Sequence, residues 1–139
     1  GLFFRIMPLM PKQERDTAFN GLEVAIDSTR GTSYSDPGAI YGLSRPLVNN
    51  ICRPTINKPS QWNRFLVTNI GNVVTVTING KLVNVVDLNQ FTEPGKRPDG
   101  TDHTFEVAYQ DRPRVGYLGL QDHGCDCNYK NIKVLLIGE

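Results

Sequence analysis

The sequence predicts an all-β domain built as a sandwich of two antiparallel sheets. Short apolar runs are separated by turn residues along the whole chain, and apolar residues at helical spacing never persist for three turns. The 139 residues include 13 Gly and 9 Pro, a content typical of a turn-rich chain. Because no linker or low-complexity tract interrupts the sequence, residues 1–139 are interpreted as one domain.

Nine strands are predicted from runs rich in β-branched and aromatic residues, at 2–7, 21–26, 39–43, 63–69, 73–79, 81–86, 104–108, 117–121 and 131–137. The strongest local signal is Asn79-Gly80 between two such runs, since both residues tolerate the positive φ that a tight type I′ hairpin needs. Long polar stretches at 8–20, 28–38 and 50–60 are predicted to be loops.

The net charge and the hydropathy of the chain disfavour several classes of binding partner. Fifteen basic and fourteen acidic residues leave a net charge of +1, which supplies no basic field for nucleic acid or an anionic membrane. No apolar run reaches the roughly 20 residues that cross a bilayer, and no secretory signal is visible at the start of the chain. A neutral ligand such as a carbohydrate fits this composition better.

The three cysteines, Cys52, Cys125 and Cys127, leave at least one thiol unpaired within the chain. Neighbours in a Cys-x-Cys pair seldom bridge each other, so a disulfide from Cys52 to either of the others stays open. A zinc site is disfavoured because a second Cys-x-x-Cys pair is missing, and ordinary buried or bridged cysteines are favoured instead.

Alternation along the strands separates predicted core residues from polar ones. The predicted core sets are Leu2, Phe4 and Ile6, then Leu22, Val24 and Ile26, then Leu118 and Leu120. The opposite faces carry Arg5, Glu23, Asp27, Gln121 and, if the strand persists, His123. Such donors and acceptors, with one group that titrates near neutral pH, suit a concave sugar site. The same pattern is also typical of any half-solvated strand.

Several motifs resemble the bacterial 3-keto-disaccharide hydrolase domain family. Residues 116–124, Gly-Tyr-Leu-Gly-Leu-Gln-Asp-His-Gly, followed by Asn131-Ile132, resemble the family's closing signature. Residues 22–27 resemble its Glu-x-Gln-Ile-x-Asp strand, and residues 38–43 its Gly-Ala-Leu-Tyr-Gly turn. The likeness runs through nearly the whole chain in the same order. Two positions depart from it, since Ala25 stands where the family has Gln and Lys130 where it has Arg.

The resemblance implies a concanavalin A-like jelly-roll sandwich that cleaves glycosides already oxidised at C3. A ketone there acidifies the C2 hydrogen, so that a base can remove it and the C1 substituent can leave. His123 is expected to be the base and Glu23 the acid or a hydroxyl anchor. The expected substrate-binding residues are Arg5, Gln121, Asp27, Tyr41 and Asp122. Asp122 can orient His123 only if the chain turns at Gly124.

Alternatives accompany this interpretation. A divalent cation held by Glu23, His123 and a nearby Asp would polarise the ketone as a Lewis acid. A non-catalytic, lectin-like carbohydrate-binding module would instead use Trp62 and Tyr41 as aromatic platforms. The resemblance also implies a secreted or periplasmic protein, and further family strands before Gly1. A sandwich without those strands would expose sheet edges, through which a homodimer could form.

Overall fold

A computed structural model of the chain describes residues 1–8, 21–26, 34–47, 61–124 and 126–137. The architecture of these residues is all-β, as predicted. In the described part of the chain, six strands form two antiparallel sheets, and the helical content is limited to two short 3-10 turns at Leu88–Gln90 and Tyr109–Asp111. Within the described residues, no helix is long and apolar enough to cross a membrane.

The first sheet has the order β2-β1-β6, with β1 at Leu2–Ile6, β2 at Leu22–Val24 and β6 at Tyr117–Leu120. The second has the order β3-β4-β5, with β3 at Phe65–Ile70, β4 at Val73–Ile78 and β5 at Lys81–Asp87. Asn79 and Gly80 both have positive φ, at 50° and 83°, and they join β4 to β5 as the predicted hairpin. This turn is set by local chemistry, since both residues accept left-handed backbone.

The hydrophobic core lies between the two sheets. The first sheet contributes Phe4, Leu22 and Val24, and the second contributes valines and isoleucines of β4 and β5, all of them buried. A group of aromatic rings closes one end of this core: Phe91, Phe105 and Tyr109. The arrangement is the two-sheet sandwich that the sequence predicts, with alternate residues of β4 facing inward at Val74, Val76 and Ile78.

Three predicted strands are wrong. In the 39–43 segment only Ile40 makes isolated bridges, to Val24 and to Ser44. Residues 104–108 and 131–137 are not strands, because no described strand pairs with them. The apolar residues of 131–137 are all more than 60% exposed, including Leu136 at 88%. Apolar composition predicted these strands, but a strand also needs a partner that satisfies its backbone.

The predicted core assignment of Leu118 and Leu120 is also wrong. These side chains are 55% and 43% exposed, because β6 is the last strand of its sheet and no described residue covers this face. Ile6 is buried, but it shares the face of Phe3 and not that of Phe4. A methyl group built on Gly119 would meet both Phe3 and Ile6. A bulge between Phe3 and Ile6 in the pairing with β6 causes this change of face.

Candidate functional site

The prediction that Arg5 is an outward cation is wrong. Arg5 sits in the β1 bulge with φ at 51° and is only 5% exposed. Its guanidinium donates to Asn69 Oδ1 at 3.0 Å, to Asn72 Oδ1 at 3.4 Å and to the carbonyl of Gly71. Burial, and then the charge of Arg114, lowers the pKa of Arg5. The side chain therefore ties β1 to the turn between β3 and β4.

Glu23 lies in the middle of β2, in register with Phe3 on the face away from Phe4 and Leu22. Its side chain is 9% exposed and packs over the backbone of Gly1. A Cβ added to Gly1 would fall 2.8 Å from Glu23 Cγ and would collide with the carboxylate. The Glu23 backbone is held from the other side, where its carbonyl accepts from the amide of Tyr41 at 2.9 Å.

Gln121 meets the same Gly1 from the opposite neighbouring strand. Its backbone N–H donates to the Gly1 carbonyl at 3.0 Å, and its side-chain Oε1 accepts from the Gly1 amino group at 3.0 Å. Because Glu23 and Gln121 both contact Gly1, the structure brings two of the predicted site residues together across β1. The side-chain Nε2 of Gln121, which is a donor, takes no part in these two bonds.

The 38–44 segment carries Tyr41 past Glu23, and β5 holds it in place. Asn84 is 1% exposed because a bulge in β5 turns it inward. It donates to the Gly38 carbonyl at 3.0 Å and accepts from Ser44 Oγ at 3.0 Å. The Tyr41 ring is 43% exposed, so it is accessible to a ligand beside β2.

His123 and Asp122 follow β6 on a turn. Gly124 has φ at 74°, and its N–H donates to Asp122 Oδ1 at 3.0 Å. The chain thus turns at Gly124, as the expected role of Asp122 requires, but this carboxylate oxygen bonds the turn backbone. His123 is exposed. Asp27, Cys52 and Cys125 lie outside the described residues.

Sequence reasoning missed Tyr129, which lies beside Glu23. Its hydroxyl is buried. Burial, the neighbouring Cys127 thiol and the charge of Glu23 together raise the pKa of Tyr129, so the phenol stays protonated at neutral pH. The signal that could have found it is its position in the aromatic stretch between the Gln-Asp-His-Gly motif and Asn131-Ile132. Cys127 itself is an exposed free thiol.

Two other features bear on the alternatives. The Trp62 ring is 51% exposed, but the Lys130 ammonium lies 3.9 Å from its centroid, so one face of the proposed platform is covered. Among the described residues, no group of three His, Cys, Asp or Glu side chains could hold a metal ion. A shallow cleft of about 270 Å³ lies elsewhere, beside Tyr34, Arg45 and Arg97.

The model of one protein family, the 3-keto-alpha-glucoside-1,2-lyase-like domain, matches residues 1–135. This chain belongs to that family. A solved structure of a provisionally named glycosyl hydrolase from Parabacteroides distasonis is similar, with a TM-score of 0.75 and 27% sequence identity. The likeness covers 89% of this chain and 63% of that one, so the lyase-like domain described here spans less than two thirds of its neighbour. No curated protein matches the chain.

The family and the solved neighbour together suggest carbohydrate processing of the glycosyl hydrolase kind. They agree with the resemblance that the sequence motifs carry.

Proposed function

We propose that this lyase-like domain cleaves glycosides whose sugar carries a ketone at C3. The observation that carries the proposal is the convergence of Glu23 and Gln121 on Gly1, at one end of a β6 strand that leads directly to His123. An acid, an amide and an imidazole are the groups that an elimination next to a ketone requires. The family assignment supports the same chemistry.

The proposed reaction begins at C2. A base removes the C2 proton, and the electron pair moves toward the C3 oxygen as an enolate. The enolate then collapses, the bond between C1 and the glycosidic oxygen breaks, and the departing oxygen takes up a proton. The products are the free alcohol and a sugar with a C1–C2 double bond conjugated to the ketone. Later addition of water across that double bond completes a net hydrolysis.

The residues divide these roles according to their chemistry. His123 is exposed, and its imidazole is the proposed base that takes the C2 proton. Gln121 Oε1 is engaged by Gly1, which leaves its Nε2 to donate to the developing enolate oxygen. Glu23 is the proposed proton donor to the leaving oxygen.

A metal-assisted version of the reaction stays a separate proposal. Glu23 and His123 are ligand types that suit several divalent ions, but among the described residues they belong to no group of three that could hold one, so a further ligand would have to come from the rest of the chain. An ion held there would polarise the C3 ketone as a Lewis acid. Assays with added chelator and with added divalent salts distinguish it from the metal-free version, in which turnover is unchanged by either.

The test is an assay of the chain against a disaccharide oxidised at C3 and against its unoxidised parent. We expect release of the alcohol from the oxidised sugar only. The variants His123→Asn and Glu23→Gln should each lower kcat by about 100-fold or more, because each removes a proton-transfer group. The matched controls Asp126→Asn and Glu93→Gln change exposed acids and should keep full activity.

The same assay separates the enzyme from the carbohydrate-binding module. Binding of the oxidised sugar without any turnover by the unaltered chain would contradict the proposed reaction and support the module. Turnover that survives both His123→Asn and Glu23→Gln would contradict the assigned roles but not the reaction.

A further inference from the structure

The backbone of Tyr41 is tied to β2 beside Glu23. Ile40 bridges Val24, and both of these side chains are buried in the core. Tyr41 comes next, and its N–H donates to the Glu23 carbonyl at 2.9 Å. Tyr41 therefore lies opposite Glu23, and its ring is exposed whereas the side chain of Ile40 is buried.

Arg97 holds the residue that follows Tyr41, which is Gly42. Its Nε and Nη2 both donate to the Gly42 carbonyl, at 3.0 and 2.6 Å. Its Nη1 donates to Thr101 Oγ1 at 3.2 Å and to the Asp102 carbonyl, so the guanidinium is itself held by the loop that follows it. The N–H of Gly42 donates to the Tyr34 carbonyl at 3.1 Å, and Arg97 Cζ lies 3.8 Å from the centroid of the Tyr34 ring.

The conformation of Gly42 explains why such a clamp matters. Gly42 has φ at 71°, and a Cβ built on it would fall 2.7 Å from Phe105 Cε2, so the position requires glycine. Glycine has the widest choice of backbone angles, and this one directly follows Tyr41. Without the bonds from Arg97, Gly42 would be free to change its angles and to redirect Tyr41.

The side chain of Tyr41 is available to a ligand. Its ring is 43% exposed, and its hydroxyl makes no hydrogen bond in the described part of the chain. A phenol ring offers an apolar face and a polar end, which suits the C–H and O–H groups of a sugar. Because the backbone is already fixed, binding to this ring would cost little conformational entropy.

We propose that Arg97 is a positioning residue of the candidate site: it fixes the turn at Gly42 so that Tyr41 is presented to the sugar beside Glu23. This role rests on the proposed function, since it adds a substrate contact to the same site. Arg97 acts through the backbone of Gly42 and takes no part in proton transfer. Two N–H groups that converge on one carbonyl are a property of a guanidinium, which an ammonium does not share.

The kinetic test replaces Arg97 and follows cleavage of a disaccharide oxidised at C3. Arg97→Met should raise KM by about 5- to 10-fold and keep kcat within about twofold, because a contact made equally in the ground and transition states is weakened. Arg97→Lys keeps the charge and one donor, and it should restore part of the loss. The matched control is Arg45→Met, since Arg45 also contacts Tyr34 but does not bond Gly42. It should keep the KM of the unaltered chain.

A double-mutant cycle tests whether Arg97 acts through Tyr41. Tyr41→Leu alone should raise KM by a similar factor, and Arg97→Met should add little to it. Full additivity of the two changes would overturn the proposal, because Arg97 would then act by another route. An equal rise in KM with Arg45→Met would overturn it as well.

A fluorine signal makes the test independent of turnover. The five tyrosines are replaced by 3-fluorotyrosine, and the Tyr41 resonance is identified by its loss in Tyr41→Phe. We expect the oxidised disaccharide to shift this resonance, and Arg97→Met to shift or broaden it where Arg45→Met does not. Arg97→Lys serves the same comparison if Arg97→Met does not fold.

The fluorine signal also separates this proposal from the proposed function. A Tyr41 resonance that is unchanged by the substitutions of Arg97 would overturn the positioning role, whether or not the sugar is cleaved. A resonance that does not respond to saturating sugar in a chain that cleaves it would overturn the substrate contact. A resonance that responds to Arg97→Met and to the sugar, in a chain without turnover, would support the positioning role and contradict the proposed reaction.

Discussion

Arg5 is a buried cation in the bulge of β1, with positive φ and only 5% of its surface exposed. Alternation placed it on an outer face, but the bulge in β1 turns it inward against the turn at 69–72. A bulge adds a residue to one strand and reverses every later side chain, and a sequence of apolar and polar letters does not reveal it. The buried guanidinium bonds Asn69, Gly71 and Asn72, so its role in this structure is to join the two sheets.

Replacement of Arg5 should therefore destabilise the fold. Arg5→Met removes the charge and the hydrogen bonds that the guanidinium donates to Asn69 and Asn72. The expected cost is about 2–4 kcal/mol in the free energy of unfolding. The exposed Arg64 serves as the matched control, and Arg64→Met should cost less than about 0.5 kcal/mol. Urea denaturation measures both. Equal effects from the two variants would contradict the role of Arg5.

The burial of His103 should make the stability of the fold depend on pH. The imidazole is 7% exposed among the rings of Phe91, Phe105 and Tyr109, and its Nδ1 accepts from Phe105 N–H at 3.1 Å. Burial, and then the charge of Arg97, lowers the pKa of His103 in the folded chain. A hydrogen bond with the Lys96 backbone and the charge of Asp102 partly oppose this shift. The unfolded chain therefore binds the proton first as the pH falls below about 6.5.

The sign of the effect follows from this linkage. Stability should be full above the unfolded pKa and should decrease as the pH falls from there through the lower folded pKa. His103→Asn keeps an acceptor for Phe105 N–H but does not titrate. The unfolding free energy of this variant should therefore change less than that of the unaltered chain between about pH 7 and about pH 5. Identical pH profiles for the two proteins would refute the assignment.

Among the strands and turns, the local chemistry of a turn could be predicted from the sequence, whereas the pairing of distant strands could not. The Asn79-Gly80 hairpin was predicted because two adjacent residues determine it. The failed strands at 104–108 and 131–137 had suitable composition, but their pairing depends on residues far away in the sequence. The fold class survived these errors, because each of the six described strands overlaps a predicted one.

Two glycines with similar backbone angles test how the 38–44 segment packs on β5. Gly38 and Gly80 have φ of 86° and 83°, so alanine is strained at both, by about 1 kcal/mol. A Cβ at Gly80 meets nothing within 4 Å, whereas one at Gly38 would lie 2.6 Å from Val83 Cγ2. Gly38→Ala should therefore lower the melting temperature clearly more than Gly80→Ala. Equal losses in thermal unfolding would contradict the close packing.

At the scale of the whole molecule, sequence reasoning located part of the site. Glu23 and Gln121 were predicted on strands that the structure places on either side of β1, and they meet at Gly1. Tyr129 was missed because its segment was assigned to no strand and its approach to Glu23 depends on the path of the chain after Gly124. Secretion or a periplasmic location stays a prediction that rests on the family resemblance.

The exchange of the C2 hydrogen tests the central claim most directly, because it reports the proposed first step even where C1 cleavage is slow. A disaccharide oxidised at C3 is incubated with the chain in deuterated water, and proton magnetic resonance follows the C2 signal. The account predicts loss of that signal well above the rate in buffer, and a return to the buffer rate with His123→Asn. Exchange at the buffer rate with the unaltered chain would contradict the account.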